Sequence, residues 1–360
     1  ACSAGSGTAT SCSTGDDMTE KTKHLTLESI GKLAGVSRST VSRVLNDHPD
    51  VRPEVRTRVE AVIEKTGYLP NQAARALVSN RTGLIGLVMP TGVNELFGDP
   101  YYSALVHGIH DGCTETRTIF SIFPFYGPRG QASLLPTLMS QGFLDGVIAT
   151  AGPLSDQLIA TLRDRGRNVA VVGHPADSEG LRRVDVENRA GGTTATAHLC
   201  RLGRQRVGFV GPTPDYLFGV ERLDGHRRAL IAEGRTPDDH LVELDAPTVD
   251  GGYRATLAIL REQPDALFVA TDPMAQGALR ALREHGLQVP RDVAIVGFDG
   301  LPGGRPTDPT LTTVVQPVIE VGRTAVHLLR GDHQSDVVIL PTELRIGESC
   351  GARTASHPGS

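Results

Sequence analysis

Short apolar runs that alternate with helix-length amphipathic stretches dominate the chain from about residue 82 onward. Seven runs are clear, at residues 84–89, 118–123, 146–150, 169–173, 207–210, 267–270 and 293–298. Continuous apolar strands separated by helices are typical of parallel sheets that helices cover on both faces. The alternation occurs in two blocks, before and after about residue 186, and therefore predicts two similar α/β lobes.

The composition fits a globular protein with a large buried core. Apolar residues make up 39% of the 360-residue chain, and no run reaches the roughly 18 apolar residues of a membrane span. Five scattered cysteines form no CxxC pair, and the start of the chain lacks the apolar core of a signal peptide. These features predict two or three domains without a membrane segment, and we expect the protein in the cytoplasm.

A separate small unit precedes the alternating region. Residues 1–24, rich in Ser, Thr and Gly, show no periodicity and are predicted to form a disordered tail. Over residues 25–69, apolar residues recur at helical spacing, and breaks near Gly35 and Pro53 divide the pattern into three helices. Residues 18–81 contain 11 Lys and Arg against 7 Asp and Glu, whereas the whole chain has a net charge of −5. A basic head on an acidic body favours a polyanion-binding module.

The first two predicted helices can form a helix-turn-helix, which presents the start of its second helix to base edges in the major groove. Arg38, Ser39 and Thr40 lie at that start, and Ser42 and Arg43 follow. An arginine at such a position can donate two N–H groups to guanine O6 and N7. The spacing alone fits equally well a small helical bundle with solvated arginines on its surface.

Three motifs in this region strongly resemble those of the LacI/GalR family of bacterial transcription regulators. They are GVSRSTVSRVLN at residues 35–46, GYLPNQAARAL at 67–77 and GLIG at 83–86. The resemblance extends from about residue 25 to residue 346. It implies that bases are read by Arg38, Ser39 and Arg43, and that phosphate is contacted mainly by Thr40, Ser42 and Asn46.

The resemblance also implies a hinge helix within residues 70–81 that folds only on DNA. Asn71 can cap this helix, and the small side chain of Ala74 allows close approach to the minor groove. Leu77 and its symmetry mate would wedge into the central base step, which bends the duplex. A palindromic operator with a CG-like centre is expected. The alternative for Leu77 is a linker leucine that packs on the body.

Ligands of two-lobed parallel sheets bind in the crevice beyond the carboxyl ends of the strands. Asp272 and Asp299 follow two predicted strands, and Arg222 lies at the start of a predicted helix. Carboxylates can accept hydrogen bonds from ligand hydroxyls, and a guanidinium can donate in a fork. The three side chains therefore predict a site for a hydroxylated ligand. The alternative is that Arg222 and Asp299 simply pair across the cleft.

The family resemblance assigns further pocket positions. An Arg-x-x-Gly motif is matched by Arg222 and Gly225, and an Asp after a Val-Gly-aromatic strand is matched by Asp299. The aromatic candidates are Tyr101, Tyr102, Tyr216 and Phe218. The last two stand where purine-binding relatives have smaller or basic residues, which favours a sugar-like effector over a nucleobase. Two departures from the family pattern are Arg204, in place of a usual histidine, and Gly300, in place of a second acidic residue.

The same resemblance implies a domain plan and a mechanism. A DNA-binding head would span residues 25–69, a linker 70–81 and an effector-binding and dimerisation body 82–350, with a tail at 351–360. The body would divide into lobe 1, at about 82–186 and 315–340, and lobe 2, at about 187–314 and 341–350. The expected protein is a homodimeric regulator, most simply a repressor, on a palindromic operator. The C-terminal tail has no leucine heptad, so a zipper-built tetramer is not expected.

Two other classes of protein fit the sequence less well. An enzyme would need equipment such as a GxGxxG or Walker loop or a GxSxG elbow, and none of these motifs follows a strand. His107, His110 and Cys113 spread over about 120° of a predicted helix, so no metal site and no cofactor are expected. A transport solute-binding protein would share the two lobes but would carry an export signal and no DNA-reading head.

Overall fold

The computed structural model describes residues 25–45, 48–68, 81–90, 98–125, 127–301 and 306–352. The chain divides into two compact units, Ala1–Arg75 and Ala76–Ser360, called here the head and the body. Four predicted DNA contacts lie outside the described residues: Asn46, Asn71, Ala74 and Leu77. The described residues also exclude the predicted tail at 1–24, most of the predicted linker and residues 353–360.

The head contains three helices at the predicted places. They are α1 (Leu27–Ala34), α2 (Arg38–Leu45) and α3 (Pro53–Thr66). Thr26 and Ser29 form a capping box at the start of α1, which satisfies backbone N–H groups that have no partner within the helix. Gly35 ends α1 in a left-handed conformation, with φ of 65°, that glycine adopts without steric strain. Helix α3 begins at Pro53, where a missing N–H removes no helical hydrogen bond.

The three helices share a small apolar core. A Cβ atom on Gly31 would lie 2.8 Å from the carbonyl oxygen of Val36, so glycine at this position allows the tight turn between α1 and α2. The buried core residues are Ile30, Ala34, Val41, Val44, Val59 and Tyr68. Because Val41 and Val44 face this core, the opposite side of α2 is left for solvent or a partner.

The first lobe of the body is built on a parallel sheet. Its described strands are β1 (Leu84–Met89), β2 (Ile119–Pro124), β3 (Gly146–Thr150), β4 (Val169–Val172), β5 (Arg182–Val186) and β11 (Val337–Leu340). They lie in the order β11-β5-β4-β3-β1-β2. The helices of this lobe are α4 (Pro100–Glu115), α5 (Gly127–Met139), α6 (Asp156–Asp164) and α11 (Val318–Arg330). Apolar clusters cover both faces of the sheet.

The second lobe repeats this plan. Its described strands are β6 (Val207–Pro212), β7 (Val242–Asp245), β8 (Ala266–Val269), β9 (Ala294–Asp299), β10 (Thr312–Val315) and β12 (Glu343–Arg345). They lie in the order β12-β10-β9-β8-β6-β7, with β12 antiparallel to β10. The helices are α7 (Asn188–Arg201), α8 (Leu217–Ala232), α9 (Val249–Ile259) and α10 (Asp272–Glu284), with 3₁₀ turns at Asp239–Leu241 and Leu260–Glu262.

The predicted fold class, a helical head followed by two parallel-sheet α/β lobes, is confirmed. All seven predicted strands are present, with ends displaced by at most two residues. The short strand β12 adds an antiparallel edge to the otherwise parallel second sheet. Five further strands were not predicted: β5, β7, β10, β11 and β12. Three of them, β5, β7 and β12, carry charged residues and so lack the continuous apolar run used for prediction.

The chain passes between the two lobes three times, so that the two sheets lie side by side in the body. The chain leaves the first sheet after β5, returns to the first lobe after β10 and enters the second sheet again at β12. The carboxyl ends of the parallel strands are the usual place for a ligand in such sheets.

In the part of the chain that the structure describes, no helix combines the length and apolarity needed to cross a membrane.

Candidate functional site

The N-terminal end of α2 is organised by a serine cap. The Ser37 hydroxyl oxygen accepts the backbone N–H of Thr40 at 3.2 Å, and it lies 2.7 Å from the Ser39 hydroxyl. It also lies 2.9 Å from the Thr40 hydroxyl. The cap fixes the first turn of the helix, so that successive side chains project at defined angles.

Helix α2 presents several of the predicted DNA contacts on one surface. Arg38, Ser39 and Arg43 are exposed, whereas Thr40 and Ser42 are half-buried. The half-buried Thr40 hydroxyl contacts the Ser37 cap. This arrangement offers two guanidinium groups and a hydroxyl to a partner, which suits the major groove of DNA.

A cavity of about 460 Å³ lies between the carboxyl ends of the two sheets. This volume falls within the roughly 300–1,000 Å³ typical of small-molecule sites. Six of the seven predicted pocket residues line it: Tyr101, Tyr102, Tyr216, Phe218, Arg222 and Asp299. Tyr101 and Tyr102 come from the first lobe and the other four residues from the second, so both lobes line the cavity.

Arg222 is held by three acceptors at the base of the cavity. Its Nε donates to Asn188 Oδ1 at 2.9 Å, and its Nη1 donates to the Ala270 carbonyl at 2.5 Å and to Asp299 Oδ1 at 3.3 Å. The Phe298 ring centre lies 3.5 Å from the guanidinium carbon. Only 4% of the Arg222 side chain is exposed, so these contacts replace most of its hydration.

The ion pair between Arg222 and Asp299 exists, but it does not span the cleft. Arg222 lies on α8 and Asp299 at the end of β9, and both elements belong to the second lobe. The alternative of a pair across the cleft is therefore wrong. Because both side chains also line the cavity, pairing and ligand contact are compatible.

Asp299 combines an unusual backbone with an unusual carboxyl group. Its φ of 124° lies in a region that favours glycine, and such strain is often found at functional sites. Its carboxylate accepts hydrogen bonds from Gln316 Nε2 at 2.7 Å and from the Asp272 backbone N–H at 3.2 Å. Burial raises the pKa of Asp299 to about 7, an effect opposed by Arg222 and reinforced by Asp272.

The structure does not bring Asp272 into the wall of the cavity. Its carboxylate accepts the backbone N–H of Gly300 at 2.8 Å and the hydroxyl of Thr313 at 2.7 Å. Burial raises the pKa of Asp272 to about 6. Gly300 has a φ of 62°, and a Cβ there would lie 2.6 Å from a methyl carbon of Val315. This crowding explains why a glycine, and not a second acidic residue, follows Asp299.

The glycine of the Arg-x-x-Gly motif brings two helices together. A Cβ on Gly225 would lie 2.2 Å from the carbonyl oxygen of Arg189 on α7. A Cβ on Gly192 would lie 2.4 Å from the carbonyl oxygen of Arg222 on α8. Both glycines therefore permit the close approach of α7 and α8. Since Arg222 and its acceptor Asn188 lie on these two helices, their packing fixes the position of the guanidinium.

Several polar cavity residues were missed by the sequence analysis. Asn188 and Gln316 bind Arg222 and Asp299 directly, and they follow β5 and β10, which were not predicted. Tyr101 was predicted, and burial raises the pKa of its hydroxyl, which keeps the proton for donation. The remaining missed polar lining residues include Asp99, Thr150, His174 and Asp185. Thr150 and His174 lie at or just after the ends of β3 and β4, which were predicted, whereas Asp185 lies in β5, which was not.

The raised pKa of Asp299 predicts a pH dependence of stability. An unfolded aspartate titrates near about 4, whereas the folded group titrates at about 7. Between these values the folded chain keeps a proton that the unfolded chain loses, so this contribution to stability is lost as pH rises through 7. We expect the stability advantage of the native chain over the Asp299→Asn variant to shrink from pH 5 to pH 8. Urea unfolding followed by circular dichroism measures it, and a difference that does not change with pH would contradict the assignment.

Comparison with known proteins decides the family. Residues 26–71 match the description "Bacterial regulatory proteins, lacI family", and residues 196–350 match a periplasmic binding protein-like domain. The HTH-type transcriptional regulator CelR of Thermobifida fusca is 35% identical over 343 residues, which cover 92% of this chain and 99% of CelR. The chain belongs to the lacI family. This LacI-family chain is thus a transcription regulator with a DNA-binding head, and its relatives include proteins named as transcriptional regulators and repressors.

Further relatives share the whole plan of this LacI-family regulator. Catabolite control protein A of Priestia megaterium is 30% identical, covering 91% of this chain and 99% of the relative. A solved CelR-cellobiose complex is 33% identical with a TM-score of 0.70, covering 90% of this chain and 99% of that one. A lac repressor dimer bound to operator and the anti-inducer ONPF is 26% identical with a TM-score of 0.74, covering 92% and 100%. The family resemblance seen in the sequence is confirmed.

Proposed function

We propose that the chain is a homodimeric repressor whose affinity for a palindromic operator is controlled by a saccharide bound between the lobes. The observation that carries the proposal is the Arg222–Asp299 pair in the wall of a two-lobed cavity with aromatic sides. The similarity to CelR, solved with cellobiose, and to the lac repressor, solved as a dimer on its operator, supports both halves of the proposal. A regulator of this kind acts on the chromosome in the cytoplasm.

The chemistry of the cavity favours a neutral polyhydroxylated ligand. Tyr101 and Tyr102 pack edge to face with ring centres 5.7 Å apart, and Tyr216 and Phe218 form a second pair at the same distance. Such rings can cover the apolar faces of a sugar. Asp99, Asp185 and Asp299 line the same space as Arg222, so acceptors for hydroxyl groups outnumber guanidinium donors. The carboxylates disfavour an anionic ligand by charge repulsion.

The roles of the individual residues follow from this proposal. The effector contacts are Tyr101, Tyr102, Tyr216, Phe218, Arg222 and Asp299. Asp272 acts indirectly, because its carboxylate holds the turn at Gly300 that follows Asp299. Arg38, Ser39 and Arg43 read bases, while Thr40, Ser42 and Asn46 contact phosphate. Asn71, Ala74 and Leu77 belong to a linker at residues 70–81, which joins a DNA-binding head at 25–69 to an effector-binding and dimerisation body at 82–350.

Control of DNA binding requires two states of the body. A ligand held by both lobes prefers one angle between them, and this angle sets the spacing of the two linkers in the dimer. Only a ligand with different affinities for the two states can shift the equilibrium between them. Allosteric couplings of this kind are typically about 1–3 kcal/mol, which changes the affinity for DNA by about 5- to 150-fold.

Calorimetric titration of the full chain with cellobiose tests the effector half of the proposal. Cellobiose is the first ligand to test because of the similarity to the CelR complex. We expect one saccharide per chain, and we expect no heat from a nucleobase such as hypoxanthine or from glucose 6-phosphate. Binding of the purine or the phosphate ester, with no binding of any neutral saccharide in a panel, would contradict the proposal.

The aromatic wall gives a second, smaller prediction. Tyr216→Ala should weaken saccharide binding by about tenfold, because the ring pair with Phe218 would no longer cover the ligand. The matched control is Tyr253→Ala, since Tyr253 lies on α9 of the same lobe, packs on Arg280 and does not line the cavity. The same titration measures both variants. Equal affinities in the two variants would remove Tyr216 from the site.

A further inference from the structure

Three side chains from both lobes meet beside the effector cavity. His174 follows β4, Asp185 lies in β5 and Glu221 lies on α8, so two come from the first lobe and one from the second. One potential ligand atom from each residue lies within 4.8 Å of the other two. We infer that these residues bind one divalent transition-metal cation, which bridges the two lobes.

The spacing of the donor atoms suits a metal. His174 Nδ1 lies 3.3 Å from Glu221 Oε1. Zinc bonds of about 2.0–2.2 Å in a tetrahedron place neighbouring donors about 3.4 Å apart, so this pair already has the separation of two ligands. The Asp185 oxygen lies within 4.8 Å of the His174 and Glu221 atoms, so it needs to move by no more than about 1.4 Å to reach the separation of two zinc ligands.

The charges in the cluster also favour a cation. The Asp185 and Glu221 carboxylates each place an oxygen within 4.8 Å of the other, so two acidic groups lie close together beside His174. Asp185 Oδ1 accepts the Val186 N–H at 2.8 Å and the Asn188 side-chain amide at 3.1 Å. Its Oδ2 has Arg183 Nη1 at 3.9 Å, beyond hydrogen-bond distance. A metal bound by both carboxylates would relieve the repulsion between the two acids.

An ion can reach the cluster from solvent. The side chains of His174 and Glu221 are 29% and 24% exposed. Asp185 lines both the effector cavity and a second groove, of about 700 Å³, that opens beside the N-terminal end of α7, and Glu221 lines that groove. The cluster thus lies between two openings, one of which stays open when a ligand fills the cavity.

The donor set indicates which metals bind. One imidazole and two carboxylates suit Mn²⁺ or Zn²⁺, because imidazole favours zinc and carboxylates favour manganese. Mg²⁺ should bind more weakly, since it prefers oxygen ligands in a strict octahedron. A metal at this place links β4 and β5 of the first lobe to α8 of the second, and it therefore stabilises the closed arrangement of the lobes. This binding does not depend on the proposed saccharide.

Titration of the full chain with MnCl₂, followed by the EPR signal of free Mn²⁺ and without saccharide, tests the inference. We expect one Mn²⁺ per chain with micromolar affinity, competition by Zn²⁺ and at least tenfold weaker binding in the His174→Ala and Glu221→Gln variants. The control is the His107→Ala variant, because His107 forms an exposed pair with Asp111 elsewhere in the first lobe. This variant should bind Mn²⁺ with the affinity of the native chain.

A second readout separates metal binding from misfolding. Ligands that bind only the folded state raise the thermal midpoint, so saturating Mn²⁺ should raise the midpoint of the native chain and of His107→Ala. It should leave the midpoints of His174→Ala and Glu221→Gln unchanged, while both variants still unfold cooperatively. Absence of stoichiometric Mn²⁺ binding, or equal binding in Glu221→Gln, would overturn the inference. Loss of operator binding would concern the proposed function and leave the metal site unaffected.

Discussion

Replacement of Arg222 by alanine is expected to lower the free energy of unfolding of the body by about 3–5 kcal/mol and to abolish the effector response. The guanidinium is fully enclosed and serves three acceptors: Asn188 Oδ1, the Ala270 carbonyl and Asp299 Oδ1. Its removal takes the Arg222 donor from the buried Ala270 carbonyl and leaves the Asp299 carboxyl group buried without its cationic partner, which is the costly way to break a buried pair. Urea unfolding followed by circular dichroism measures the first effect, and saccharide titration of DNA binding measures the second.

A double variant shows how much of the loss comes from the pair itself. When Arg222→Met is combined with Asp299→Asn, the unpaired charge is gone, so the double variant should be less destabilised than the sum of the two single variants. Burial also lowers the pKa of Arg222, which reflects the penalty of keeping this charge away from water. A loss below about 1 kcal/mol in Arg222→Ala would show that the buried network contributes little.

The second large effect concerns the head. Arg38→Ala should weaken binding to the specific operator by about 1–3 kcal/mol and relax the preference at one base pair, because a bidentate contact to guanine would be lost. Arg38 is exposed at the first turn of α2, whose opposite side carries the buried Val41 and Val44. The fold of the head should therefore survive the change. Fluorescence anisotropy with a specific and a scrambled duplex measures the two affinities.

Arg58→Ala is the matched control for Arg38→Ala. It removes the same charge from the same small unit, but Arg58 is exposed on α3 and not on α2. Its loss should weaken specific and scrambled duplexes alike, since a general electrostatic contribution carries no sequence information. Equal losses on both duplexes for Arg38→Ala would refute its role in reading bases.

The sequence predicts the head and the centre of each sheet well, because both depend on strong local signals. Gly35 and Pro53 mark helix boundaries where the structure has them, and the runs at 84–89 and 146–150 coincide with β1 and β3. The strand β5 carries two arginines and an aspartate in five residues, so no apolar run marks it. A strand of this kind is recognised only when its neighbours in the sheet are known.

In the site, the sequence predicted where a side chain lies in the fold but not which way it points. Residues after the carboxyl ends of strands were expected to meet, and Asp299 does lie in the cavity wall. Asp272 occupies an equivalent place in the sequence, but its carboxylate turns to the Gly300 N–H and the Thr313 hydroxyl. A strand end therefore predicts the neighbourhood of a side chain, whereas the available donors decide where it points. Asn188 and Gln316 were missed because their strands were missed.

Selection of genomic fragments by the full chain at physiological ionic strength, with and without cellobiose, tests the central claim that a saccharide in the body controls a sequence-reading head. We expect the bound fragments to share one palindromic motif and cellobiose to change their retention by at least about fivefold, the lower end of typical allosteric coupling. The Arg222→Met/Asp299→Asn double variant should select the same motif without responding to cellobiose. Recovery of random fragments by the native chain under both conditions would contradict the claim.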